Sequence, residues 1–240
     1  WTTQNQNDPN PLLAMDFQPD SSDTGKLDGK DIYAVAGEKT FVVWNGIPTN
    51  TGSVPILNIK DSIGSITFDG ALRVAVDDSY FYILDGQAKK IYVWKGLPSG
   101  KTDNPDFSIA ADVNRIRSDG KYLLGISMYN AVHILVWNVS DLKQDATTSG
   151  NVRFTMNLPA DAMTNGESLF VADTSFHRVL FWSSISSAMS GAAGIIMAIG
   201  KEIAPATKEI TPRPKNVRIW LSAPNSAIAT PPGFGDRALA

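Results

Sequence analysis

The chain contains no cysteine, which removes disulfides, thiolate metal ligands, iron–sulfur clusters and thiol catalysis. Histidine is nearly as scarce: the only two are His133 and His177, too few for a metal centre of three convergent imidazoles. No apolar run approaches the roughly 20 residues that a membrane-spanning helix needs, and AAGIIMAIG (192–200) falls well short. Charge is sparse, with 19% charged residues and a net of −3, a balance that opposes binding to a phosphate backbone. The segment 201–218 is locally basic and 8–31 locally acidic, which reads as two solvated surfaces. No stretch keeps a 3.6-residue apolar period long enough to predict a helix. GIIMAIGK (194–201) has the wrong glycine spacing for a phosphate loop, and Glu202 stands where Ser or Thr should hold magnesium. A nucleophile elbow, a zincin motif and an EF-hand loop are all missing.

What is present is repetition. Short apolar segments end in tryptophan five times, as FVVW at Trp44, IYVW at Trp94, ILVW at Trp137, VLFW at Trp182 and VRIW at Trp220. They recur roughly every 40–50 residues, the period of stacked supersecondary units that cannot bury an apolar face alone. Each tryptophan segment follows another extended segment and a turn: KDIYAVA (30–36), SYFYILD (79–85), KYLLGIS (121–127) and ESLFVAD (167–173). A third segment keeps the same phase ahead of each pair: NPLLAMDF (10–17), SVPILNIK (53–60), NPDFSIAA (104–111), NVRFTMNL (151–158) and GIIMAIGK (194–201). RVAVDD (73–78) and VNRIRSD (113–119) are candidates for a short inner strand.

These observations predict an all-β fold: a β-propeller of four-stranded antiparallel blades, with five repeats visible and a six-bladed ring as the alternative. One domain over 1–240 is expected, with repeats at about 8–51, 52–102, 103–148, 149–191 and 192–240. The last repeat is proline-rich and irregular, since proline cannot donate to a sheet ladder. The tryptophans, at the same strand end in each unit, are expected to fill the space between blades. Asp85 and Asp173, at the start of tight turns, are expected to accept backbone N–H bonds.

ESLFVADTSFHRVLFW (167–182) and, more loosely, SYFYILDGQAKKIYVW (79–94) resemble the NHL-repeat family of β-propellers. The aspartate nine residues before tryptophan is present at Asp85 and Asp173 and replaced by Met128 in the third repeat. The resemblance covers about residues 28–182 and implies a propeller without fixing an activity, because this fold hosts binders, scaffolds and enzymes. It also implies that the turns between paired strands open on one face of the disc, where ligands bind. That face would carry Glu38, Lys39, Gln87, Lys89, Tyr129, Asn130, Phe176 and His177.

The expected function is therefore a non-catalytic binding or scaffold propeller recognising a protein, peptide or glycan on one face, with no cofactor and no nucleic acid. The alternative is a lactonase-type hydrolase or lyase holding a divalent metal such as calcium in the central channel. Asp77, Asp78, Asp112, Asn114 and Asp119 could supply its ligands. The polar start at Trp1 suits a mature protein after signal cleavage, or the edge of an expressed segment. It favours an extracellular or periplasmic location.

Overall fold

The computed structural model describes residues 19–50, 52–128, 133–153 and 158–198. Among them are four sheets, each of four antiparallel strands. The first holds β1 (Pro19–Leu27), β2 (Lys30–Gly37), β3 (Thr40–Asn45) and β4 (Leu57–Lys60), adjacent in that order. A two-stranded ribbon follows, β5 (Ser62–Ile63) with β6 (Ile66–Thr67). The second sheet is β7 (Leu72–Val76), β8 (Tyr80–Asp85), β9 (Lys90–Lys95) and β10 (Phe107–Ala110). The third is β11 (Arg115–Ser118), β12 (Tyr122–Ser127), β13 (His133–Asn138) and β14 (Gly150–Val152). The fourth is β15 (Pro159–Thr164), β16 (Leu169–Asp173), β17 (Arg178–Trp182) and β18 (Ile195–Ala198).

Local chemistry places the first turn of each sheet. In three of them an Asp or Asn side-chain oxygen accepts the N–H groups two and three residues on, and in two of these a backbone bond closes the turn as well, Asp77 N–H to Tyr80 O at 3.1 Å and Asp119 N–H to Tyr122 O at 3.2 Å. Asp77 Oδ1 takes Ser79 and Tyr80, both at 2.9 Å. Asp119 Oδ1 takes Lys121 at 2.9 Å and Tyr122 at 2.8 Å, and Asn165 Oδ1 takes Glu167 at 3.2 Å and Ser168 at 2.8 Å. In the first sheet Asp28 and Gly29 both have positive φ, 51° and 75°.

The inner-strand candidates fall on β7 and β11 as expected. The strand placed at the head of each repeat does not. Leu57–Lys60 pairs with β3 and closes the first sheet; Phe107–Ala110 pairs with β9, Gly150–Val152 with β13 and Ile195–Ala198 with β17. Each is the outer strand of the preceding sheet. After Trp44, Trp94, Trp137 and Trp182 a linker turns the chain back alongside the strand it has just left, and antiparallel pairing there satisfies its backbone at once. The period is as read, and the sheet frame is offset by one strand. The fourth linker also carries one helical turn, α1 (Ile185–Met189), started by Ser184.

Apolar cores form where consecutive sheets face one another. The first joins Phe41, Val43 and Ile59 of the first sheet to Leu72, Phe81 and Trp94 of the second. The second joins Tyr82 and Ile91 to Ile116, Leu123 and Trp137, and the third joins Leu124 and Val136 to Leu169, Leu180 and Trp182. Trp94, Trp137 and Trp182 are each 2% exposed and do fill the space between sheets. Trp44 lies on the other face of the first sheet, with Tyr33, Val35 and Val42. Segment 10–17, Trp220, the fifth repeat beyond residue 198, residues 8–18 of the acidic stretch and the basic 201–218 lie outside the described residues.

Candidate ligand-binding face

The hairpin between the second and third strands is the equivalent turn of every sheet. Glu38 and Lys39 form it in the first, Gly86–Lys89 in the second and Thr174–His177 in the fourth. The last residue of each turn is left-handed, with φ of 50° at Lys39, 53° at Lys89 and 49° at His177. Three non-glycine residues at one turn position in this region mark a repeated backbone device.

Asp85 ties the second hairpin down. It is fully buried; its Oδ1 accepts the N–H of Gln87 and of Ala88 at 3.1 Å each, and its Oδ2 accepts that of Asp69 at 2.7 Å. One carboxylate thus satisfies the turn and joins it to the link that enters the sheet. The same link binds the first hairpin, since Lys39 N–H donates to Gly70 O at 3.1 Å and Glu38 bridges Ala71. Gly70 fits closely there: a Cβ would stand 3.0 Å from that of Gln87, which would have to give by a few tenths of an ångström. On the far side, Lys89 Nζ pairs with Asp112 Oδ2 at 2.8 Å. Glu38, Lys39, Gln87 and Lys89 therefore form one continuous strip.

In the fourth sheet Asp173 repeats the half of the device that reaches the entering link, with Arg178 in place of the turn N–H groups. Its Oδ1 accepts Leu158 N–H at 3.2 Å, and its Oδ2 pairs with Arg178 Nη2 at 2.9 Å. The Arg178 guanidinium lies 4.6 Å from the centroid of the Phe176 ring. Phe176 and His177 are exposed on the equivalent hairpin, while Tyr129 and Asn130 lie outside the described residues. Among the described residues the side chains of Glu38, Lys39 and Gln87 make no hydrogen bond or ion pair. The sequence reading missed Asp69, Gly70 and Arg178, which fix the strip and the aromatic turn. Their signal was the spacing of Asp85 and Asp173 from the preceding link, visible only once the sheet frame is known.

The carboxylates considered as metal ligands do not converge. Asp112 and Asn114 precede β11 and Asp119 follows it, so they stand at opposite ends of one strand. Asp112 pairs with Lys89, and Asn114 Oδ1 accepts Met128 N–H at 2.8 Å. Asp77 Oδ2 accepts the Tyr82 hydroxyl at 2.7 Å and also the Ser118 hydroxyl. Burial and then the Asp77 charge push the Tyr82 phenol far above its ordinary range, so Tyr82 stays a donor. No group of three or more His, Asp or Glu is set for a metal ion among the described residues.

Along the inner strands, Arg117 of β11 makes a bidentate pair with Asp161 of β15, Nη2 to Oδ2 at 2.8 Å and Nε to Oδ1 at 3.2 Å. It also reaches Ser22 O of β1 at 3.4 Å. Neighbouring Asp23 accepts Val76 N–H at 2.9 Å, and burial lifts its carboxyl above the ordinary range despite that bond and the Arg117 charge.

No protein-family model matches the chain, and neither does any curated protein sequence. Solved structures do match. A chain in a crystal structure of an active polycomb repressive complex 2 in the basal state superposes with a TM-score of 0.51 at 11% identity, over 82% of this chain and 46% of that one. The fold is a β-propeller. Kluyveromyces lactis Hsv2 gives a TM-score of 0.47 at 9% identity, over 74% of this chain and 48% of that one. Hsv2 from Kluyvelomyces marxianus gives 0.46 at 12%, over 74% and 47%. This propeller chain spans about half the length of each of these three structures. No helix among the described residues is long and apolar enough to cross a membrane.

Proposed function

We propose that this chain is a non-catalytic binding propeller that takes a protein or peptide ligand on its hairpin face. A glycan remains the less favoured ligand class, since Phe176 is the one aromatic side chain among the described candidates on that face. The supporting observation is the strip of Glu38, Lys39, Gln87 and Lys89. Its backbone is held by Asp85 and the 69–71 link, whereas three of its four side chains are not used in folding. A surface whose backbone is pre-ordered in this way loses little main-chain entropy on binding. The finer likeness of 79–94 and 167–182 to NHL repeats belongs to this reading, as does the view of 1–240 as one propeller of five repeats. That one matched chain comes from a multiprotein complex agrees with a protein ligand.

The test is selection of peptides from a random display library against the whole chain. Selected peptides are then measured by fluorescence anisotropy on the variant carrying Glu38→Ala, Lys39→Ala, Gln87→Ala and Lys89→Ala. The variant should keep its far-ultraviolet spectrum and lose at least tenfold in affinity. Unchanged affinity would refute the face assignment.

A further inference from the structure

A second surface lies on the rim, away from the hairpin strip. The β5–β6 ribbon stands off the outer half of the second sheet and leaves a groove of about 400 Å³, within the range of clefts that hold small ligands. The ribbon is fixed from the far side: Gly64 N–H donates to Lys101 O at 2.8 Å, and Ser65 N–H and Oγ–H donate to Asn104 Oδ1 at 2.8 and 2.9 Å. Gln144, which caps Ser108 N–H at 3.0 Å, also lines the groove.

The floor holds a hydroxyl that folding does not use. Tyr92 is 7% exposed and lines the groove; its hydroxyl keeps contact with solvent and makes no hydrogen bond among the described residues. A phenol that lines a cleft and that folding leaves unused is available to donate to a ligand. Burial, followed by the charges of Asp85 and Asp69, raises its pKa, which keeps it a neutral donor. Lys90 and Asp106 flank it on the same sheet face: Tyr92 is registered with Ser108, and Lys90 with Ala110. Lys90 Nζ makes no hydrogen bond or ion pair among the described residues. Asp106 spends one oxygen on Lys95 N–H, at 2.6 Å. Between the Asp106 and Ala110 levels lie two strand repeats, about 13 Å.

The groove therefore runs from an ammonium, past a phenol donor, to a carboxylate. We infer that it binds an extended peptide segment carrying an acidic and a basic side chain about four positions apart, with Tyr92 donating to a main-chain carbonyl between them. Four extended residues cover about 13 Å, which matches the charge separation. A dianionic phosphate fits poorly, because Lys90 is the single cation facing the groove and Asp106 opposes it. Stacking on a sugar is also disfavoured, since the Tyr92 and Phe107 rings are covered at 7% and 8% exposure.

The probe is a fluorescein-labelled octapeptide with Glu and Lys four apart in a Ser/Gly/Thr background, titrated onto the whole chain. Its partners replace the Glu, the Lys or both with Gln. Lys90→Gln should weaken the parent peptide about three- to tenfold and leave the peptide already lacking Glu unchanged. Asp106→Asn should do the same against the peptide lacking Lys. Tyr92→Phe, which keeps the buried ring, should weaken all of them. Lys89→Gln, on the hairpin strip, should change none, which separates this groove from the face proposed above. Equal binding of charged and neutral peptides, additive effects in the Lys90–Glu cycle, tighter binding of inorganic phosphate or an oligosaccharide, or no binding at millimolar peptide would each overturn the inference.

Discussion

The tryptophans act through their N–H groups as well as their rings. Trp44 Nε1 donates to Ser53 O at 3.2 Å, Trp137 Nε1 to Ala146 O at 3.3 Å and Trp182 Nε1 to Ala192 O at 2.8 Å. Each bond reaches into the linker that leaves the same strand; Trp137 and Trp182 both fill the space between sheets and clamp the return of the chain, while Trp44 clamps it from the other face of the first sheet. Trp94 is the exception among the described residues, its Nε1 buried without a partner. The two kinds should separate on substitution by phenylalanine. Trp182→Phe gives up the bond to the Ala192 carbonyl as well as packing, whereas Trp94→Phe removes a buried N–H that was already unsatisfied. We expect Trp182→Phe to cost about 1–2 kcal/mol more than Trp94→Phe, read as the difference in urea unfolding free energies. Equal costs would place the whole contribution in packing. The packing role was legible from recurrence at a strand end; the indole bond was not, because it depends on where the linker passes.

Among elements, the decisive contact is between the inner strands β1 and β7. An inner strand has a free edge, and unpaired N–H groups there are costly when buried. Side chains of β1 cover them: Ser21 Oγ accepts Val74 N–H at 3.2 Å and Asp23 Oδ2 accepts Val76 N–H at 2.9 Å. The approach is close enough that a Cβ on Gly25 would stand 2.9 Å from Val76 O, a backbone atom. Gly25→Ala should push the two strands apart, cost about 1–3 kcal/mol and speed hydrogen exchange at Val74 and Val76. Unchanged exchange at those amides would contradict the contact. At the outer edge the linkers serve the same end. Gln144 and Asp145 of the third sheet's linker bond both backbone groups of Ser108 in β10. The turns of Gly, Pro, Asn and Ser that announce these linkers are plain in the sequence, but which neighbouring edge they cover follows from the offset sheet frame.

At the scale of the molecule, Arg117 joins three sheets, through Asp161 of the fourth, Ser22 O of the first and its own strand in the third. Asp23 beside it has a raised pKa in the folded state. The sign follows from linkage: the native state holds this proton more tightly than the unfolded chain. Its contribution is fully present below the ordinary carboxylate pKa and is lost as pH rises through the raised value. Asp23→Asn should therefore flatten the fall in unfolding free energy as pH is raised through the carboxylate range. A slope identical to that of the parent chain would assign the pH dependence to other groups. Neither the raised pKa nor the three-sheet junction could be read from sequence, where Asp23, Arg117 and Asp161 are widely separated and carry no motif.

By itself the sequence determined the strand segments, their period, the all-β class and the turn aspartates. Those depend on apolar runs, turn residues and side chains that act within a few positions of one another. Only the tertiary structure decided which sheet each post-linker strand joins, that four of the candidate residues form one strip, that the proposed metal ligands stand apart, and that Tyr92 faces a groove. These depend on partners brought together by chain return and sheet packing, and no local pattern specifies which edge or cleft a distant residue will meet.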